Sequence, residues 1–326
     1  MNKIISFDLS SGDKGSIEAL AAAIDFCVLN KDWKIKGFVK EKIEIPNKPN
    51  NLEIIQCNEL IEQNDGPLQV RRKKDSTLVR AMESVNNNEA AVALSAAASG
   101  PLVTAGYLIF KSIEGIKPAF APIFFNKDGK PRIMLDVGAN LDVDALTLNQ
   151  FAVMGSLFSK SMGFSQNPIV MQLNIGTEDK KGRTIQQEAF NLMKNNHQIN
   201  FKGNIEANNA LIENEVNVIV TEAYSGNILL KSYEGAFKIF KSIMKESANN
   251  SFLDKIGFTF AKNFRSKIKV ATNSDAGAVP VLGLNKLLLK AHGNSSKAAF
   301  FNSLNDAKKL IEKDLVNQIK EKINNL

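Results

Sequence analysis

The sequence predicts an α/β sandwich: three layers with a largely parallel sheet. Two observations carry that prediction. Short apolar runs suited to buried strands alternate with helical patterns along most of the 326 residues. Several of these runs end in small residues accompanied by Asp, Asn, Lys or Ser, the composition of a strand-to-helix turn at a ligand-binding sheet edge.

The strands are expected at Lys3–Phe7, Ile35–Val39, Leu52–Gln56, Ala91–Leu94, Ala119–Phe124, Arg132–Val137, Ile169–Leu173, Ile199–Phe201 and Val216–Val220. Without an internal repeat or a Pro- or Gly-rich linker, they read as one domain over the whole chain. Ala90 to Phe110 carries no charge and is long enough to span a bilayer. Ser95, Ser99, Gly100, Pro101 and Thr104 interrupt it, so a strand, a small-residue loop and a buried helix over Leu102–Phe110 fit better.

Composition narrows function only loosely. Hydrophobic residues make up 44% and charged residues 23%, an ordinary globular balance. The formal net charge of +7 favours acidic partners, whether nucleic acid, anionic lipid or an acidic protein. Cys27 lies in an apolar helix and Cys57 just after a strand, so both read as buried structural thiols. The chain opens on a strand with no signal-like segment, which fits a reducing cytoplasm.

Chemistry concentrates at five turns. The first strand ends in Asp8-Leu9-Ser10-Ser11-Gly12-Asp13-Lys14-Gly15, whose spacing is neither a dinucleotide fingerprint nor a P-loop. Asp136 ends an apolar strand ahead of Val137-Gly138-Ala139-Asn140. A carboxylate there is either bound to local backbone or used in a site. The run Asn174-Ile175-Gly176-Thr177-Glu178-Asp179-Lys180-Lys181-Gly182 sits between a strand and a helix beginning near Thr184. Ser225-Gly226-Asn227 puts a hydroxyl and an amide beside a helix start, and His292-Gly293 precedes another helical stretch. No Ser-His-Asp arrangement or metal-ligand cluster is recognisable, so positioning and electrostatics fit better than covalent catalysis, and no metal or other cofactor is expected.

From Lys231 to Val270 the pattern changes. Tyr233, Ala236, Phe237, Phe240, Ile243 and Met244 share one helix face. After Asn249-Asn250, Phe252, Leu253, Ile256, Phe260 and Phe264 form a second face, with Phe258 off it and Lys262 among its flanking cations. Such a basic, Phe-rich hairpin suits either a membrane interface or packing against a core or partner.

These segments resemble the PlsX-type phosphate acyltransferases, in order and over nearly the whole chain. Asn174–Gly182 is similar to the family's GTEDKKG signature, and Leu135–Leu141, Phe151–Ser156, Ser225–Asn227, Leu289–Gly293 and Pro67–Ser76 match further segments. The resemblance implies a fold like that of isocitrate and isopropylmalate dehydrogenases and a homodimer associated with the cytoplasmic membrane surface. The implied activity moves a long acyl chain from acyl carrier protein to inorganic phosphate, giving acyl phosphate for phospholipid synthesis. Lys181 matches the family lysine proposed to hold phosphate, and Asn227 the asparagine placed to donate to the developing oxyanion. Asp8, Asp136, Asn140, Gly176, Thr177, Glu178, Asp179, Ser225, Gly226 and His292 are the implied substrate-binding positions. Arg71, Arg72, Lys73 and Lys74 form a basic run suited to the acidic carrier rather than to nucleic acid, and Phe252, Phe258, Phe260, Lys262 and Phe264 the membrane contact. The chain departs from the family at Ser95–Pro101, where SAGNTGA is usual, at the first turn, at Glu222-Ala223, and at Ala276-Gly277-Ala278. A phosphotransacetylase acting on short acyl thioesters of coenzyme A, and a non-catalytic binding paralogue, are the competing readings.

Overall fold

The computed structural model describes residues 2–13, 16–126, 128–249, 277–324 and 326. In chain order it contains β1 (Ile4–Asp8), α1 (Ser16–Leu29), β2 (Lys34–Val39), β3 (Leu52–Gln56), α2 (Gln69–Arg72), α3 (Thr77–Asn86), β4 (Val92–Ser95), α4 (Ser99–Ala105), β5 (Ala119–Phe120), β6 (Ile123–Phe125), β7 (Pro131–Leu135) and α5 (Ala145–Met162). There follow β8 (Ile169–Asn174), α6 (Thr184–Lys194), β9 (Asn200–Glu206), α7 (Ala207–Ala210), β10 (Val218–Val220), α8 (Ala223–Asn249), β11 (Val279–Leu282), β12 (Leu287–Lys290), α9 (Lys297–Glu312) and α10 (Leu315–Ile323). The expected α/β class with largely parallel strands holds, and the strands are distributed over two sheets. They belong to two compact units: the chain up to Pro122, Lys160–Gly163 and the stretch from Gly277 on form one, and Ile123–Ser159 with Phe164 to the end of α8 form the other.

The first unit has the sheet order β3-β2-β1-β4-β12-β11-β5, parallel from β3 to β12 and antiparallel at β11 and β5. Neighbouring residues of β1 show the layering, since successive side chains point to opposite faces. Phe7 meets Phe300 of α9 at a ring distance of 5.6 Å. Ser6 donates its hydroxyl to the Ala81 carbonyl of α3 at 2.7 Å. Helices therefore cover both faces, and α1 lies beside α9 through Phe26 and Phe301. Cys27 and Cys57 are buried as expected, and burial pushes both thiols up to about 11. β1 has a neighbour on each side whose chain connection leaves in the opposite direction, so the crevice beyond the ends of β1 and β4 is the switch point of this sheet.

The second unit has the order β6-β7-β10-β8-β9, with only β6 antiparallel. Its core includes Phe151, Val170, Val218 and Ile219, all fully buried. Phe190 of α6 meets Phe201 of β9 edge-on at 5.2 Å.

Three expectations are corrected. The run Ala119–Phe124 is two strands, β5 and β6, in different sheets; Pro122 between them has no N–H for a ladder. β9 continues to Glu206 through Lys202, Gly203 and Asn204, which lack an apolar alternation. β11 and β12 were not expected from the sequence, and Pro280 inside β11 conceals a strand pattern. Residues 92–105 form the strand, loop and helix expected of the charge-free stretch. The last turn, Gly106–Phe110, is widened so that the Lys111 N–H reaches the Gly106 carbonyl at 3.1 Å. Among the described residues no helix is long and apolar enough to cross a membrane.

Gly155 of α5 permits the close approach of that helix to its sheet. A Cβ there would lie 2.5 Å from Val218 Cγ1 and 2.8 Å from Leu135 Cδ2. Gly155→Ala is expected to lose about 1–3 kcal/mol in urea unfolding. In a double-mutant cycle Val218→Ala should recover part of that loss, and strict additivity would disprove the contact.

Candidate functional site

In the first unit, the turns after β1, β4 and β12 meet. Asp8 ends β1 fully buried. Its Oδ2 accepts from Ser11 Oγ at 2.5 Å and from Ser95 Oγ, at the end of β4, at 2.7 Å. Its Oδ1 accepts from the Ser11 N–H at 3.2 Å. Burial still raises the Asp8 pKa, against the pull of these donors. Gly12 holds a φ of +116°, where a Cβ would be 2.9 Å from the Gly293 carbonyl. That carbonyl accepts from the Asp13 N–H at 2.7 Å, joining the first turn to the turn after β12. His292 is exposed beside it and accepts through Nδ1 from the Asn294 N–H at 3.2 Å.

In the second unit, the ends of β7, β8 and β10 supply the groups. Asp136 is fully buried just past β7. Its oxygens accept from the N–H groups of Gly138 at 3.1 Å, Ala139 at 3.1 Å and Asn140 at 2.7 Å, and from Asn140 Nδ2 at 2.9 Å. Of the two roles left open for this carboxylate, local backbone binding is the one its contacts display. Burial raises its pKa while these donors oppose the shift. The Asn140 carbonyl accepts from the Ala223 N–H at 3.0 Å, which ties the start of α8 to the Asp136 turn. Gly226 completes that contact, since a Cβ there would lie 2.2 Å from the Asp136 carbonyl oxygen.

The signature loop follows β8. Asn174 Nδ2 donates to the Lys181 carbonyl at 3.0 Å and Asn204 Nδ2 to the Glu178 carbonyl at 2.9 Å, so side-chain amides brace both halves of the loop. A Cβ on Gly176 would lie 2.7 Å from Glu178 Oε2, and Gly182 takes a φ of +86° against the Asn174 amide. Lys181 Nζ is 3.8 Å from Glu178 Oε1, with both side chains at least half exposed. Asp179 pairs with Lys194 at 3.2 Å. Beside the loop opens a cavity of about 780 Å³, lined by Leu173, Ile228 and Leu229 and by the polar groups of Arg183, Glu222 and Ser225. Glu222 Oε1 accepts from Ser225 Oγ at 2.5 Å and from Arg183 Nη2 at 3.0 Å.

The model of the fatty acid synthesis protein family matches residues 14–318. This chain belongs to that family. The family agrees with the resemblance carried by the motifs. A phosphate acyltransferase of Fusobacterium nucleatum is 37% identical over 97% of this chain and 98% of its own. One from Staphylococcus epidermidis is 36% identical over 98% of each. Among solved structures, a phosphotransacetylase from Streptococcus pyogenes has a TM-score of 0.59 at 15% identity, covering 94% of both chains. A branched-chain phosphotransacylase from Enterococcus faecalis has a TM-score of 0.58 at 12% identity, covering 94% of this chain and 98% of its own. These two establish the fold alone.

Within the family member, the site positions fall into two groups. Asp8 and His292 lie at the strand ends of the first unit, and Asp136, Asn140, Gly176, Thr177, Glu178, Asp179, Lys181, Ser225, Gly226 and Asn227 at those of the second. Asn227 is exposed in the second turn of α8. In the basic run, Arg71, Arg72 and Lys74 are exposed, whereas Lys73 is bound by Asp65 at 2.6 Å and the Leu60 carbonyl at 2.9 Å. Phe252, Phe258, Phe260, Lys262 and Phe264 lie outside the described residues. Sequence motifs did not single out Arg183 or Gln186. Arg183 directly follows the signature, and that adjacency was the available signal.

The Ser95–Asp8 bond has a pH signature. Because the folded-state pKa of Asp8 is raised, its contribution to stability falls as pH climbs above the ordinary carboxylate range. Ser95 also accepts from the Ala97 N–H at 3.0 Å, a contact indifferent to pH. Ser95→Ala is therefore expected to lower the melting temperature at all pH values, with a gap that widens from pH 4 to pH 9 as Asp8 ionises. The bond to the charged form is worth about 1.5–3 kcal/mol. A constant gap would show that Ser95 does not support the ionised carboxylate.

Proposed function

We propose that this protein is a phosphate acyltransferase that moves a long acyl group from acyl carrier protein to inorganic phosphate, feeding acyl phosphate into phospholipid synthesis. The observation that carries this reading is identity above one third, across nearly the full length, to proteins named phosphate acyltransferase, with the signature loop intact.

The chemistry needs three things. A phosphate oxygen attacks the thioester carbonyl, a donor steadies the tetrahedral oxyanion, and a thiolate leaves. Lys181 stands on a loop braced by Asn174 and Asn204, and it is the cation proposed to hold phosphate. Asn227 is the proposed oxyanion donor, its α8 backbone locked to the Asp136 turn through Ala223 and Gly226. A thiol with a reference pKa of about 8.5 leaves with little acid assistance. The apolar wall of the cavity suits an acyl chain or the arm that carries it.

The finer partners rest on surfaces. The exposed Arg71, Arg72 and Lys74 suit an acidic carrier protein. On α8, Ile239, Phe240 and Ile243 are 65%, 44% and 56% exposed beside Lys238 and Lys241, which supports docking on an anionic membrane surface or a second subunit. The fold is equally that of phosphotransacetylases, so it does not favour the carrier over coenzyme A; the basic Arg71, Arg72 and Lys74 are what support the carrier.

The direct test incubates pure protein with palmitoyl-acyl carrier protein and phosphate and traps acyl phosphate as its hydroxamate. Phosphate-dependent product is expected, and its absence from a folded protein that still binds the carrier would favour the non-catalytic reading. Asn227→Ala should cost about 100- to 1,000-fold in rate with folding intact. Near-normal turnover would remove Asn227 from the mechanism. Lys181→Ala should cost more and act mainly on phosphate use, so an unchanged phosphate dependence would contradict its role. Reversing the charges at Arg71, Arg72 and Lys74 should raise KM for the carrier protein and leave KM for phosphate alone; equal effects on both would refute docking there.

A further inference from the structure

The Arg183–Glu222 pair is asymmetric. Glu222 is the buried partner, with its side chain 8% exposed, while that of Arg183 is 63% exposed. Three further contacts fix the carboxylate and the arginine. Ser225 Oγ donates to Glu222 Oε1 at 2.5 Å and Thr221 Oγ1 to Oε2 at 3.1 Å. Arg183 Nε donates to Gln186 Oε1 at 3.1 Å, and Gln186 is itself buried, its backbone carbonyl accepting from Gln172 Nε2 at 2.9 Å. The guanidinium is thus held at Nε and at one N–H of Nη2. Of its five donors, the remaining three have no partner among the described residues.

The buried carboxylate needs its donors, whereas a guanidinium that stays this exposed adds little to folding by its charge alone. Here the anchor is buried and the cation is presented at the wall of the cavity, one residue beyond the end of the signature loop. The remaining edge of a fixed guanidinium matches two oxygens of a phosphate group, which a flexible ammonium does not.

We propose that Arg183 binds a tetrahedral phosphate oxyanion at this cavity, with Glu222 and Gln186 as the positioning residues that aim it. The proposal rests on the phosphate acyltransferase reading. The same chemistry has two sources there: the attacking inorganic phosphate, or the phosphodiester that links the thiol arm to the carrier protein.

The test compares full-length wild type with Arg183→Ala, Arg183→Lys and Glu222→Gln. Acyl phosphate formation is measured with each substrate varied, and inorganic phosphate binding separately by titration calorimetry. Arg183→Ala should raise the KM of one phosphate-bearing substrate roughly tenfold or more, while kcat changes less. Added guanidinium ion should restore part of the loss. Arg183→Lys should recover only partly, since it lacks the planar fork. Glu222→Gln should raise the same KM by a smaller factor at an unchanged melting temperature.

A rise confined to inorganic phosphate, together with weakened calorimetric binding, assigns the attacking group. A rise confined to the carrier substrate assigns the phosphodiester. With an active wild type, unchanged KM values for both overturn the proposal. If wild type forms no acyl phosphate, the transferase reading fails on its own. Calorimetry then decides for Arg183: binding lost in Arg183→Ala supports it, and binding equal to wild type or absent from both overturns it.

Discussion

A carboxylate buried at the end of a strand demands donors, and meeting that demand organises the strand ends of both units. Desolvation of Asp8 and Asp136 opposes ionisation, and each is answered by a cluster of N–H and O–H groups drawn from the following turn. At Asp8 the donors come from Ser11 in its own turn and from Ser95 across the switch point, so one carboxylate fixes two strand ends together. At Asp136 they come from three successive N–H groups and the Asn140 amide. The folded turn then presents the Asn140 carbonyl to α8 and its own carbonyl to the bare face of Gly226. The polar residues at these positions act first on the backbone, and the backbone in turn sets where Ser225 and Asn227 stand.

The same logic explains which parts of the fold were legible in the sequence. Leu52–Gln56 was read with its observed limits, and β1, β2 and β4 to within a residue at either end, because each is a short run rich in apolar residues between polar turn segments. β9 was read short because Lys202, Gly203 and Asn204 spoil the run, although the strand is secured by its pairing with β8. β11 and β12 escaped notice because they are only four residues each and, besides pairing with each other, depend on neighbours distant in sequence: β12 pairs with β4, and β11 with β5. No local pattern separates a short Pro-containing strand such as β11 from a loop. The division into two sheets was equally invisible, since a two-residue interruption at Ala121-Pro122 decides it.

Site residues show the same split between local and distant information. Asp136, Asn140 and the Gly176–Gly182 loop announced themselves because residue type and turn coincide within a few positions. The Arg183–Glu222 contact joins residues 39 positions apart, on turns after different strands, and Arg183 alone reads as one more surface cation. The departures at Ser95–Pro101 were legible as differences from a family pattern, but their weight was not. Ser95, which the pattern keeps, supports both Asp8 and the Ala97 N–H, so the altered Ala97 joins this turn through its backbone alone.

Catalysis by positioning depends on donors whose direction is settled before the substrate arrives. By that criterion Lys181 of the signature loop and Arg183 at the cavity wall are unequal. Lys181 is half exposed, its one ion-pair partner among the described residues is an exposed glutamate at 3.8 Å, and its long chain must be ordered by whatever it binds. Arg183 has already given up that freedom, because Glu222 and Gln186 hold its guanidinium and are themselves held by Ser225, Thr221 and Gln172. On the proposed reading, a phosphate entering such a site would meet one fixed edge that sets orientation and one mobile charge able to follow the oxygen as it moves from phosphate toward the carbonyl. That division of labour gives a physical reason for a lysine and an arginine to stand two residues apart on one loop, where two lysines would supply the same charge without the geometry.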